Sequence, residues 1–431
     1  MSNSVKRGHR PPACRVHAIA VQNHASVRFV PWPSNKTAAT RWEPPKATRV
    51  SFQTQRDEAL QRIGYLAHDL TDPAVARRVT MFRTGGADVK IAGFSRGELP
   101  DSFTDALVLG HSADARLASR ALTVLRVLAT GLPVVAQHMK GASAIVARNL
   151  EMLVIGQALQ RRLTPRPDLV YECLDIHRLL TSQSSAGRAL RRLERHVGKS
   201  VDLVLTSSPA FIANHLKNGP FANRIILVEN KILTPAPHPL RLMPPPFRIG
   251  WYGALRCERS FKILADLSDR LGGKVKVSLR GRPSPAVFPD MATSLAPHPH
   301  MSFGGPYTAA DLPSLYGDVH FAWCIDFYEQ GANSEWLLPN RLYESAAFGA
   351  VPIALRSVET GRYLQRHGLG VTLEDANPEA LASLFSEMTS AKYAALHRAV
   401  IDTDPALWRA SPEDCRALVT AITQPTARAA A

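Results

Sequence analysis

A dense apolar run, Arg62-Ile-Gly-Tyr-Leu-Ala-His68, predicts a short strand buried on both faces. Asp72-Pro73 follows as an acidic cap with proline at the first helical position, so a helix begins there, and Gly85-Gly86 ends it. Residues 89–94 and 107–110 predict the second and third strands. Residues 115–129 predict a helix with Leu117, Ala121, Leu125 and Leu128 at its apolar positions, and Gly131-Leu-Pro-Val-Val135 then predicts a fourth strand. The alternation continues through apolar runs at 144–146, 168–174, 201–205 and 225–228. Strands separated by segments of helical length build βαβ units, which implies a parallel sheet covered on both faces.

The pattern breaks at residues 234–246, where six of thirteen residues are proline. So many fixed φ angles and missing amide donors exclude a helix or a central strand and predict a stiff connector. Beyond it the alternation restarts. Residues 247–252 predict a strand, 260–271 a helix with Phe261, Leu264, Leu267 and Leu271 on one face, and 275–279 another strand. Residues 311–316, 319–323, the helix 341–348 and the strand 351–355 follow. Gly349-Ala-Val-Pro352 reads as leaving a helix for a strand in the way Gly131-Leu-Pro133 does, which makes the two halves look related. The predicted architecture is α/β, with two doubly wound Rossmann-like domains facing each other. The divisions are an arm at 1–59, a first domain at 60–233, a linker at 234–246, a second domain at 247–403, and a C-terminal helix and tail at 404–431 placed back on the first domain. Ligands of such sheets bind outside the carboxyl ends of the strands, so the cleft is the expected site.

The 431 residues are 45% hydrophobic and 20% charged, which excludes a disordered or collagen-like chain. Five scattered cysteines form no Cys-x-x-Cys and indicate neither a disulfide framework nor a zinc site, in keeping with a reducing cytoplasm. No stretch reaches the roughly 18 uninterrupted apolar residues of a membrane span. The net charge of +16 is uneven, with ten basic and three acidic side chains among residues 1–60. That segment also carries six prolines and no sustained period, and reads as a disordered basic arm. A solvated tail, a start site placed too early, attachment to anionic lipid and nucleic-acid contact all fit an arm of this kind.

In the second domain, Asn340 is placed as a helix N-cap with Glu344 in the first full turn, where the helix dipole favours a carboxylate suited to the vicinal hydroxyls of a ribose. Asp326, Asn333 and Ser334 lie in the preceding loop, with polar groups suited to sugar hydroxyls. The stretch Gly250-Trp-Tyr-Gly-Ala-Leu-Arg-Cys-Glu-Arg-Ser260 joins a strand to a helix. Its Gly253 allows close backbone approach to an oxygen, and Arg256 and Arg259 can pair with diphosphate oxygens. Gly281 closes the next strand in the same way.

Val170-Tyr-Glu-Cys-Leu-Asp-Ile-His-Arg178, Thr206-Ser-Ser-Pro-Ala-Phe211, Val228-Glu-Asn-Lys231, the Gly250 to Arg256 run and Pro339-Asn-Arg-Leu-Tyr-Glu344 together resemble bacterial exopolysaccharide glycosyltransferases of the succinoglycan-assembly type, with two Rossmann-like domains in the GT-B architecture. The resemblance spans roughly residues 60–410. It implies transfer of a hexose, glucose being the expectation, from a nucleotide diphosphate sugar, UDP being the expected nucleotide. The implied acceptor is a lipid-linked oligosaccharide at the inner face of the cytoplasmic membrane. The implied partners are therefore the donor, the lipid-linked saccharide and an anionic membrane surface, with nucleic acid no longer needed to explain the charge. It carries the ribose role to Glu344 and the diphosphate role to the glycine and arginine segment, with the choice between Arg256 and Arg259 open, and it extends donor contacts to Asn340 and Arg341. Eight positions before Glu344, where a second glutamate often stands in such enzymes, this chain has Trp336, with Glu335 one place off register.

The first domain is expected to bind the acceptor. Asp175 and His177 lie just past a strand and form the acid/base candidate, the imidazole taking the acceptor proton near neutral pH and the carboxylate orienting it. Asp69, Arg148 and Asn149 are further cleft candidates. Arg77-Arg78 sits within the first helix, either reaching a diphosphate or facing solvent. The one Asp-x-Asp, Asp402-Thr-Asp404, precedes Pro405 and reads as a turn or cap, so no metal and no other cofactor is expected. A nucleotide-sugar epimerase or hydrolase of the same fold and a non-catalytic scaffold are the alternatives.

Overall fold

The computed structural model describes residues 61–111, 117–221, 224–233 and 243–424, so the arm at 1–59 and most of the linker fall outside the described residues. Seven strands form the first sheet: β1 (Arg62–Ala67), β2 (Asp88–Ser95), β3 (Leu107–His111), β4 (Ala144–Arg148), β5 (Asp168–Cys173), β6 (Leu203–Thr206) and β7 (Ile225–Leu227), in the order β3-β2-β1-β4-β5-β6-β7. Six form the second: β8 (Phe247–Leu255), β9 (Val275–Pro283), β10 (Met301–Phe303), β11 (Phe321–Trp323), β12 (Val351–Leu355) and β13 (Val371–Leu373), in the order β10-β9-β8-β11-β12-β13. Every strand pair is parallel.

Alternate residues of β1 serve opposite faces. Ile63, Tyr65 and Ala67 pack under the helix Pro73–Thr84, whereas Leu66 joins the layer beneath the helices Asn149–Gln160 and Ser185–Gly198. This two-sided burial explains the unbroken apolar run read from the sequence. The helix Pro412–Thr423 packs on the helix Pro73–Thr84 through Cys415, Leu418, Val419 and Ile422, so the end of the chain completes the outer layer of the first domain.

One predicted strand is not formed. Residues 127–131 make a π-turn, and Leu132–His138 continues as helix. Pro133 is tolerated because it lies in the first turn, where no intrahelical amide is required, while Leu132 and Val135, three apart, are buried together. β4 instead begins at Ala144, and the likeness between Gly131-Leu-Pro133 and Gly349-Ala-Val-Pro352 does not extend to structure, since the latter does lead into β12. β8 runs to Leu255, three residues beyond its predicted end, which places Gly253 inside the strand.

Contacts across the two domains are apolar and polar: Trp336 and Leu337 of the second domain pack against the core of the first, and hydrogen bonds gather at the carboxyl ends of the strands. Ser208 Oγ donates to the Trp336 carbonyl, Asn230 Nδ2 to the Leu338 carbonyl at 3.3 Å, and Tyr343 Oη to Glu229 Oε1 at 3.1 Å.

Candidate active site

β8 and β9 run in register with Gly253 opposite Gly281. Both have positive φ, +119° and +128°, and a Cβ on Gly281 would stand 1.8 Å from the Gly253 carbonyl oxygen. The two strands therefore close together only because Gly281 has no side chain. A Cβ on Gly253 would meet nothing within 4 Å, so its other side is open for a ligand. Gly281 N donates to the Gly305 carbonyl at 2.9 Å, and Arg280 Nε and Nη2 reach the carbonyls of Gly305 and Pro306 at 3.1 and 2.9 Å. These bonds hold the loop after β10 against the glycine pair and present Tyr307, whose ring lies 6.3 Å from that of Tyr252. The Tyr307 hydroxyl is shifted well upward, chiefly by burial and then by the Glu344 charge. Sequence reading passed over Tyr307, although its preceding Gly304-Gly305-Pro306 is a turn signal at a strand end.

Arg256 follows β8 directly, and Cys257 caps the helix Glu258–Arg270, its sulfur accepting from Ser260 N at 3.4 Å. The two arginines left open by the sequence differ in direction. Arg259 donates to Gln330 Oε1 at 3.1 Å, lies 3.9 Å from Asp375 and stacks 4.1 Å over Phe327, tied to its own domain. Arg256 stacks 4.3 Å over Tyr328 and stands 4.0 Å from Asp326, and its charge also acts on Asp175 of the first domain and on Glu329. Arg256 is thus the cation that faces both walls.

Asp175 and His177 lie just beyond the end of β5 at Cys173, in irregular backbone rather than on one face of an extended strand. His177 is the N-cap of the short helix Arg178–Thr181, its Nδ1 accepting from Leu179 N at 3.2 Å. Asp175 is exposed at the mouth of the cleft. Desolvation by the facing walls raises its carboxyl above the usual range, against the opposing pull of Arg256 and Arg148. Glu329 is raised too, by desolvation first and by the Asp175 charge next. The two domains therefore face a carboxyl toward each other with Arg256 close to both. The role of Glu329 was not legible in sequence, where it was one acid in an irregular loop.

Other predicted residues are engaged elsewhere. Asn333 and Ser334 are buried. Asn333 Oδ1 accepts from Ile176 N at 3.4 Å across the cleft, and Ser334 Oγ accepts from Glu329 N at 2.9 Å, so both shape the loop. Asn340 is the first helical residue and Pro339 the N-cap, because the proline fixes the extended conformation that a cap requires; Glu344 consequently lies beyond the first turn. Arg341 donates to the Ile325 carbonyl at 3.3 Å. Glu344 is 5% exposed and is paired with Arg77 of the first domain, which also donates to the Asn230 carbonyl at 3.1 Å. Asp404 caps a turn, accepting from Ala406 N at 2.9 Å.

In the first domain, Asp69 accepts from the amide and hydroxyl of Thr71 at 3.0 and 2.7 Å and pairs with Arg96 at 3.2 Å. Arg148 is turned into the sheet interior, donating to Tyr65 Oη and Asp72 Oδ2, each at 3.3 Å. Glu172, fully buried, accepts from Tyr65 Oη and Arg78 Nε, both at 2.6 Å. Burial pushes its carboxyl up, but Arg78 and Arg148 outweigh that and hold it below the usual range. Arg148 and Arg78 thus stabilise the strand ends as members of a satisfied buried network. Asn149 begins the helix Asn149–Gln160 at φ +69°, the one positive φ outside glycine among the described residues.

No protein-family model matches the chain. The chain is 40% identical over 372 residues to the succinoglycan biosynthesis protein ExoL of Rhizobium meliloti (strain 1021), covering 83% of this chain and 92% of that protein. Among solved structures it is similar to Anabaena Alr3699/HepE, crystallised with UDP and glucose, at 16% identity and a TM-score of 0.56, over 83% of this chain and 98% of that one. It is also similar to a glycosyltransferase from Rickettsia africae ESF-5, at 13% identity and a TM-score of 0.57, over 85% and 100% of the respective chains.

Proposed function

The chain belongs to the family of the succinoglycan biosynthesis protein ExoL and has the GT-B glycosyltransferase fold, and from that premise we propose that it transfers a hexose from a UDP-sugar to a lipid-linked oligosaccharide during exopolysaccharide synthesis at the inner face of the cytoplasmic membrane. The observation that carries this reading is the in-register pair Gly253 and Gly281, open on one side, with Arg256 at the head of the following helix and the buried carboxylate of Glu344 near the same strand ends. Backbone that approaches without side chains, a fixed cation and a helix N-terminus are what a diphosphate needs, and Glu344 suits the ribose hydroxyls. Glucose is the hexose we infer first, from the sugar bound with UDP in HepE.

Departure of a nucleoside diphosphate adds negative charge where Arg256 and the amides of the helix Glu258–Arg270 can oppose it, so the reaction is proposed to need no divalent metal. On the acceptor side, the Nδ1 of His177 is engaged by the Leu179 amide. Asp175 is therefore the group we assign to receive the acceptor hydroxyl proton, with its raised carboxyl closer to the operating range of a general base. The test is a panel of UDP, GDP and ADP sugars with turnover measured on cytoplasmic-membrane lipid extracts. UDP-glucose consumption that depends on added lipid supports the reading. Equal consumption without acceptor indicates a hydrolase, and failure of every nucleotide to stabilise the protein indicates a scaffold.

A further inference from the structure

The first domain presents an apolar helical face that its own core does not use. The helical segment Ala121–His138 has a mean hydropathy of 1.3, yet only 22% of it is buried. Val124, Val127, Leu132 and Val135 fix one side of it to the core, which prevents it from crossing a bilayer while the domain is folded. On the other side Leu122, Leu125 and Val134 are 67, 60 and 58% exposed. Leu122 and Leu125, three apart, share one stripe and Val134 follows beyond the π-turn, and together they leave apolar surface for which the described fold has no partner.

The occupant is indicated by charge. The helix Asn149–Gln160 packs between this segment and the helix Ser185–Gly198, so all three lie on the same face of the first sheet. The helix Ser185–Gly198 exposes Arg188, Arg192 and Arg195, and its one acid, Glu194, is buried against His215 at 3.0 Å. Residues 121–166 carry a single acid, Glu151. We propose that this face, with its aliphatic stripe flanked by an arginine-rich helix, is an interfacial docking surface for an anionic lipid bilayer. Apolar side chains enter the headgroup and acyl boundary while guanidinium groups meet the anionic surface, the arrangement that binds interfacial helices. The inference deepens the membrane-face reading above, and it locates the contact on the folded domain rather than on the basic arm alone.

The experiment measures sedimentation of the full chain with phosphatidylglycerol and with phosphatidylcholine vesicles, for the wild type, for Leu122→Glu/Leu125→Glu/Val134→Glu and for Arg188→Glu/Arg192→Glu/Arg195→Glu. Each triple variant is expected to lose about tenfold or more in partitioning onto phosphatidylglycerol with an unchanged melting temperature. Retention within twofold by both variants overturns the proposal and assigns binding to the arm. Loss of a dimer in the first variant, with vesicle binding intact, assigns the stripe to a second copy and overturns it equally. Should a variant fold poorly, hydrogen exchange of the wild type decides: protection of 121–138 and 188–199 on anionic vesicles supports the surface, and unchanged exchange there sinks it. Turnover in detergent is read separately, so loss of the transferase reading leaves this result standing.

Discussion

Arg77, in the first helix of the first domain, is ion-paired with Glu344, in the helix Asn340–Ala347 of the second, and side-chain exposures of 17% and 6% keep water largely away from both. The carboxylate proposed to receive the ribose is thus held by the opposite domain, and a nucleotide must exchange a guanidinium for its hydroxyls. Glu344→Ala is expected to lower UDP affinity at least tenfold, about 1.4 kcal/mol. Arg77→Ala is expected to raise it about threefold, because the competitor is gone. Calorimetric titration with UDP checks both, and a weakened Arg77→Ala variant would show that the pair helps to form the site.

Arg256 and Arg259 should separate in kinetics. Since Arg256 faces Asp175 and Glu329 while Arg259 is tied to Gln330 and Asp375, Arg256→Ala is expected to reduce kcat/KM about 100-fold or more, the scale of losing one transition-state donor. Arg259→Ala is expected to cost less than tenfold. Steady-state rates with UDP-sugar donor decide it.

Gly281→Ala places a methyl group on the Gly253 carbonyl oxygen and asks alanine to hold φ +128°. The backbone cannot yield without parting β8 from β9, so a loss of about 3 kcal/mol or more is expected in urea unfolding. Gly253→Ala has space for its methyl group and bears only the strain of φ +119°, about 1–2 kcal/mol, but it should weaken UDP binding by intruding on the open side.

His320 is fully buried, and its Nδ1 accepts from Arg248 N at 3.1 Å, a bond that protonation of that nitrogen would remove. Burial lowers its pKa to about 4, and the Arg248 charge adds to this against opposing backbone hydrogen bonds. The unfolded chain binds this proton near pH 6.5 and the folded one near 4, so the stabilisation is complete above pH 6.5 and is lost as pH falls toward 4. Two and a half pH units correspond to about 3 kcal/mol at most. Urea midpoints measured from pH 7 to 4.5 should fall, and His320→Phe, packed among Phe247 and Tyr393, should flatten part of that slope.

The two parallel sheets were legible because apolar runs such as those of β1 and β5 are buried on both faces, which leaves a continuous pattern. The segment after Gly131 was misread because a buried helical turn and a buried strand both look apolar over five residues, and only packing of Leu132 and Val135 on the next helix separates them. Glu344 and the glycine pair could be found from their neighbours in the chain. Tyr307 had only the turn signal of Gly304-Gly305-Pro306 beside it, and Glu329 had none, since their surroundings come from residues far away in sequence.

Local chemistry, which depends on neighbours within a few positions, determined the α/β class, the proline break between domains, the family resemblance and the glycine and arginine segment at a strand end. Tertiary structure decided which arginine faces the cleft, that His177 caps a helix while the Asp175 charge acts on Glu329, that Arg148 stabilises the sheet interior, and that Arg77 holds Glu344. Those outcomes turn on direction and distance between two separately folded sheets, and charge acts through space rather than along the chain.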